Sequence, residues 1–186
     1  DTARTFSKKA VNCRGIHGDV WLAAEPKGVL ISDVQCRPSV KNGRIELSVG
    51  FECGDVSAPP SGLRVVAEIY DGDTRVKTFT SREYTPADDA RLVFGGEWKD
   101  PKLWDLDAPQ NLYAVKTRLE QDGKTIDELY PEEFGFREIR IEGRNLMLNG
   151  SVVHFRPRNT RYPVEGAVSG EDIRKAALKM KEFGFN

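Results

Sequence analysis

The sequence predicts a mainly β protein, an antiparallel two-sheet sandwich followed by one β–α unit of a different architecture. Three observations carry this. Apolar and polar residues alternate over several runs, the period-two signature of strands with one buried face. Asn42-Gly43, Asp71-Gly72 and Asp122-Gly123 punctuate those runs, supplying the positive φ angles that tight hairpins need. Near residue 143 the pattern changes, and a helical period follows.

Residues 1–27 read as a connecting segment, with Val20, Trp21 and Leu22 as an apolar knot before Pro26. The clearest strand is 43–53, where Ile45, Leu47, Val49, Phe51 and Cys53 share one face and Arg44, Glu46, Ser48, Gly50 and Glu52 the other, solvent-facing one. Leu63, Val65, Ala67 and Ile69 repeat the pattern, as do Tyr113, Val115, Thr117 and Leu119. Ala58-Pro59-Pro60-Ser61-Gly62 is a loop, because its prolines cannot join a ladder. About seven strands fit between residues 28 and 142 at the spacing of a sandwich. The Cys–Trp–Cys signature of antibody domains is absent.

Leu146-Met147-Leu148 then leads to an Asn149-Gly150 turn and a short apolar strand at 152–155. Ser169 can cap a helix, with Asp172 completing a near variant of the capping box. Ile173, Ala176, Ala177, Met180 and Phe183 fall on one face of that helix, and Gly184 suits its stop. Phe185-Asn186 look like another strand beginning. One such unit cannot bury its own faces and Asp1 is not an initiator methionine, so both termini read as cut points in a longer protein; the alternative is a mature, processed protein with natural ends.

Composition sets limits. With 186 residues, 39% hydrophobic and 31% charged, the chain can fill one sandwich core but not a complete barrel as well. A formal net charge of −1 favours neither nucleic acid nor an anionic membrane, and no run approaches the ~18 apolar residues of a membrane span. Three cysteines give an odd count. If Asn42-Gly43 sets the register, Cys36 faces about residue 49, which leaves Cys53 out of disulfide reach. Free thiols in small-hydrophobe roles are expected, which leaves the redox compartment open. His17 and His154 stand apart from each other and from any cysteine cluster, so both read as structural and no metal site is expected. Glu132-Glu133 are strand neighbours pointing to opposite faces, hence solvated charge and not a catalytic pair. No glycine-rich phosphate loop or nucleophile elbow suggests a cofactor.

Several segments, in order, resemble glycoside hydrolase family 2, the family of β-galactosidases, β-glucuronidases and β-mannosidases. Gly15-Ile16-His17-Gly18-Asp19-Val20-Trp21-Leu22 looks like the exit from that family's N-terminal sugar-binding jelly roll. Pro101-Lys102-Leu103-Trp104 and Pro109-Gln110-Asn111-Leu112-Tyr113 look like the approach to a late sandwich strand. Phe134-Gly135-Phe136-Arg137 and Leu148-Asn149-Gly150 look like the passage into the barrel. Ser169 to Ile173, with Met180 to Asn186, looks like the first barrel helix and the start of strand two.

The resemblance implies an immunoglobulin-like sandwich over 28–142, preceded by the jelly-roll exit over 1–27. Residues 143–186 would be the first strand and helix of a (β/α)8 TIM barrel, truncated. It implies a non-catalytic scaffold in a retaining glycosidase, β-galactosidase-like, whose two catalytic glutamates lie beyond residue 186. The partners implied are the jelly roll and barrel of the same parent, with a glycoside substrate for the parent only. Secretion into a periplasm would be typical of bacterial relatives. Arg156 lies where the family carries an arginine at the end of the first barrel strand, and Asn159 matches the asparagine just beyond. Against this, Arg156 can be a solvated arginine beside Arg158 and Arg161. Pro157, Thr160 and Arg161 depart from the family pattern, which puts the sugar in doubt. Trp98, Trp104 and Tyr113 could make a sugar-stacking platform, but in such sandwiches they more often sit in the core or at domain contacts. The alternative function is a stand-alone carbohydrate- or protein-binding sandwich.

Overall fold

Seven strands form two facing sheets. They are β1 (Val29–Ser39), β2 (Arg44–Cys53), β3 (Leu63–Asp71), β4 (Thr74–Thr80), β5 (Arg91–Glu97), β6 (Tyr113–Gln121) and β7 (Lys124–Phe134). One sheet runs β1-β2-β5 and the other β4-β3-β6-β7, all neighbours antiparallel. This division into three and four strands, with the chain crossing between sheets after β2, β4 and β5, is that of an immunoglobulin-like sandwich. The computed structural model describes residues 20, 22, 27–54, 56, 59–85, 88–157 and 169–186.

The alternating runs become the core. Ile45, Leu47 and Val49 of β2 meet Leu63, Val65, Ala67 and Ile69 of β3, all fully buried, with Val115 and Leu119 of β6 beside them. Thr117 is buried in the same row, and its hydroxyl lacks a partner. At one end Trp98 packs edge-on to Tyr113 and Phe136, with ring centroids 4.9 and 5.0 Å away. Each such pair adds about 0.5–1.5 kcal/mol beyond the area it buries. Trp98 and Tyr113 are therefore core residues, and no sugar platform can use them.

Three expectations about the sandwich are corrected. The outer face of β2 is not simply solvated, because Ser48 and Gly50 are buried there. Arg91 of β5 reaches across to the Ser48 hydroxyl at 3.0 Å and the Asp33 carboxylate at 2.6 Å, forming a polar lid. The first hairpin also closes differently. Its loop is Val40–Gly43, with only Gly43 at positive φ, so Cys36 faces Leu47 and not residue 49. The Asn42 N–H turns instead to the Ser39 hydroxyl, which makes the wider loop. Cys53 pairs with Val29, far along the ladder, and both thiols are free. Burial, with the nearby Glu132 charge, pushes the Cys36 thiol up to about 12. Asp122-Gly123 and Asn149-Gly150 form two-residue turns with both φ positive, as their composition demands. Asp71 instead belongs to β3, and Gly72-Asp73 make that turn. Of the knot at 20–22, Val20 and Leu22 stand exposed, and Trp21 lies outside the described residues.

After the sandwich, β8 (Ile139–Glu142), β9 (Asn145–Leu148) and β10 (Ser151–Val152) form a small antiparallel sheet in the order β10-β9-β8. The expected strand at 152–155 is shorter and earlier: the ladder ends at Val152, one further bond runs from Val153 N–H to the Leu146 carbonyl, and 154–157 are irregular. The four-residue β9 has by then been used up as a partner.

Helix α1 (Gly170–Glu182) starts with the full capping box of Ser169 and Asp172. It ends in a Schellman turn: Gly184 lies at φ +80, its N–H bonds to Lys181, and the Phe185 N–H to Met180. Its local signals are all realised, yet none of its residues is buried. No described helix is long and apolar enough to cross a membrane.

Gly95 of β5 sits at φ +149, and a Cβ there would collide with the Ile45 carbonyl oxygen of β2. Gly123, at φ +78, faces open space. Gly95→Ala should therefore cost more than about 2 kcal/mol and Gly123→Ala only ~1 kcal/mol. Urea midpoints check this, and equal losses at the two sites would refute the account.

Candidate functional site

The family-like segments at 101–104, 109–113, 134–137, 148–150 and 180–186 converge at one corner of the molecule, and Trp104 is their meeting point. The Lys102 N–H donates to the Tyr113 hydroxyl at 2.8 Å, and Asn111 Nδ2 donates to the Leu103 carbonyl at 2.9 Å. A tyrosine opening a strand and bonding back to the preceding connection is a device of immunoglobulin-like sandwiches. The Trp104 N–H then donates to the Phe136 carbonyl at 3.0 Å, beside a parallel bridge from Leu103 to Phe136. Gly135 is needed there, because a Cβ would come within 2.8 Å of the Trp104 Cβ. The Arg137 guanidinium covers the indole at 4.8 Å from its centroid.

Asn149 joins this corner to the small sheet. Its side-chain Nδ2 donates to the Trp104 carbonyl at 2.8 Å, and its Oδ1 accepts the Glu138 N–H at 3.0 Å. Its own N–H donates to the Glu138 carbonyl at 2.9 Å. Asn149 therefore satisfies a turn geometry and three separate backbone groups at once. Glu138 in turn accepts the Lys41 N–H at 2.9 Å and pairs with Arg140, tying the β1–β2 loop to the small sheet. The sequence marked Leu148-Asn149-Gly150 only as a hairpin, and nothing local pointed to Glu138.

Helix α1 reaches the same corner from outside. Lys181 donates to the Leu106 carbonyl and lies 3.2 Å from Asp107. That ion pair is largely exposed, so it adds little stability. Between helix and loop lies a cavity of about 400 Å³, bounded by Trp104, Leu106, Met180 and Phe185. A second cavity, of about 420 Å³, opens on the other side of Trp104, among Cys36, Leu112, Glu133 and Arg137.

Of the two sequence-derived site residues the structure describes Arg156, which lies against the segment leaving α1. Arg156 is exposed, and its N–H and carbonyl both bond to Asn186. Asn159 lies outside the described residues, as do His17, Arg158, Thr160 and Arg161. His154 is exposed, and Glu132 and Glu133 are exposed on β7. Among the described residues no three His, Cys, Asp or Glu side chains converge as metal ligands.

The electrostatics describe a braced surface. Four carboxylates are shifted downward: Asp33, Glu68, Asp88 and Glu138. For Glu138 the Lys41 N–H is the chief cause, with Arg140 adding to it. For Asp88 it is Arg82, then the Thr85 N–H. A glycosidase general acid needs the opposite, a carboxyl held protonated near neutrality.

Together, fold and corner define an immunoglobulin-like sandwich braced to a small exit sheet and a flanking helix. Residues 29–137 match the sequence profile described as glycosyl hydrolases family 2, and the chain belongs to that family. Solved structures share the fold. A Parabacteroides merdae β-glucuronidase matches at 23% identity, covering 85% of this chain and 20% of that one, with a TM-score of 0.58. A Bacteroides vulgatus β-glycosidase matches at 22% identity over 87% and 21% of the two chains, also at 0.58. A family 2 glycosyl hydrolase from Bacteroides cellulosilyticus matches at 25% identity over 69% and 17%, at 0.52. The chain thus spans about a fifth of the length of these structures.

Two measurements test the corner. Asn149→Gly keeps the positive φ but deletes the amide, and should cost about 1–3 kcal/mol, with a loss of near-ultraviolet circular dichroism from Trp104. Unchanged stability and spectrum would remove Asn149 from its bracing role. The depressed Glu138 carboxyl contributes stability that is complete above its ordinary value of 4.5 and is lost as pH falls through its lower folded value. Glu138→Gln should therefore melt below wild type near neutral pH and converge with it well below pH 4.5. A constant gap across that range would contradict the linkage.

Proposed function

We propose that this chain is the non-catalytic scaffold of a longer retaining β-glycosidase, holding an upstream sugar-binding jelly roll and a downstream barrel in fixed relation. The observation that carries the reading is the family match over the sandwich in a chain covering only about a fifth of its structural relatives. In this reading 1–27 lead out of the jelly roll, 28–142 are the sandwich, and 143–186 are the first strand and helix of the barrel. Support for the last assignment comes from the tail. A short run at 154–157, a helix and a returning segment at 183–186 follow in order, and the Asn186 N–H bonds back to the Arg156 carbonyl at 3.4 Å.

By resemblance, Arg156 is the arginine the family carries on the first barrel strand near the catalytic pocket, which such barrels build from strand ends. It contributes a hydrogen-bonding cation toward a catalytic carboxylate or the sugar, and Asn159, by resemblance, is the second pocket residue. Retaining hydrolysis needs two carboxyl groups about 5 Å apart, one as nucleophile and one as acid/base. The rest of the barrel supplies both, and no cofactor is involved. The braced, downward-shifted carboxylates fit a structural part. A β-galactoside is the first substrate to try, with a β-glucuronide next.

The test is an assay of the longer enzyme and of this chain against aryl β-galactosides, β-glucuronides and β-mannosides. Turnover by the longer enzyme alone is the expected result, and the preferred aryl sugar names the specificity. Turnover by this chain would overturn the scaffold reading.

A further inference from the structure

Resting on the reading of Arg156 as a pocket residue, we infer that Asn186 is a positioning residue for it. The planar side-chain amide of Asn186 brackets the backbone around Arg156. Oδ1 accepts the Arg156 N–H at 2.7 Å, and Nδ2 donates to the His154 carbonyl at 3.2 Å. The Asn186 N–H adds a bond to the Arg156 carbonyl at 3.4 Å. A carboxamide both donates and accepts from one rigid group, which an aspartate or an alanine cannot do. The Arg156 side chain leans the same way: its Nη1 lies 3.6 Å from where a Cβ on Gly184 would stand.

The position of Asn186 is itself determined. The Schellman turn at Gly184 fixes the exit direction from α1, and Lys181, in the last turn, fastens that helix end to the loop at Leu106 and Asp107. Met180 and Phe185 face Trp104 across the cavity beneath. A continuous set of contacts therefore runs from the sandwich corner, through the end of α1, to Asn186 and Arg156. It matters because the ladder of the small sheet ends before 154–156. The sandwich, by this route, sets where the arginine is presented.

Amide exchange on the isotopically labelled chain tests this directly. Asn186→Ala should speed exchange at the Arg156 amide about tenfold, while amides of β2, β3 and α1 keep their rates. Asn186→Asp keeps an acceptor, so Arg156 should stay protected. A wild-type rate at Arg156 in Asn186→Ala, or equal acceleration in both variants, would overturn the inference. In the longer enzyme, Asn186→Ala should lower kcat for aryl β-glycosides more than it raises KM. If exchange accelerates and kcat stays unchanged, positioning stands and the pocket reading of Arg156 fails.

Discussion

Trp104 uses its two backbone groups to join two different sheets, and the packing of that corner follows from this. Its N–H goes to Phe136 at the end of the sandwich, and its carbonyl accepts from Asn149 in the small sheet. With both groups committed, the connection before β6 cannot move independently of the exit from β7. The indole is then trapped against Gly135 and under Arg137. Buried polar groups are costly when unpaired, so this arrangement resists partial loosening. Losing Asn149 would leave the Trp104 carbonyl and the Glu138 N–H to find water.

The sandwich core beneath is a separate matter of area and alternation. Three strands meet four, and the inward side chains of β2, β3 and β6 exclude water from each other. The aromatic group of Trp98, Tyr113 and Phe136 closes the end nearest the corner. Core and corner are thus continuous through Phe136, fully buried on one side and carrying the Trp104 bond on the other. Such continuity lets strain at the rim be transmitted into the core, because closely packed interiors have low compressibility.

Helix α1 shows the opposite balance. Its capping box, its Schellman turn and its acidic first turn are all in place, yet nothing on it is buried. Local signals define where such a helix begins and ends, but most helical stability comes from packing an apolar face. Among the described residues that packing includes the Lys181 contacts and one shallow cavity wall. The helix is a finished element with little of its surface covered.

The sequence by itself determined the strands of the core, the turns at Asp122-Gly123 and Asn149-Gly150, and both ends of α1. Periodicity, positive φ and capping are each decided within a few neighbouring residues, so they can be read without a fold. The order of the family-like segments could be read as well, though each looked weak alone. Only the tertiary structure decided that five of those segments, from 101–104 to 180–186, meet at Trp104, and that Glu138 clasps the β1–β2 loop at Lys41. It also set the register of Cys36 against Leu47 and buried the outer face of β2 beneath Arg91. Such contacts pair groups dozens of residues apart. Their energy exists only once the chain's path has closed around them, and no local pattern records that closure.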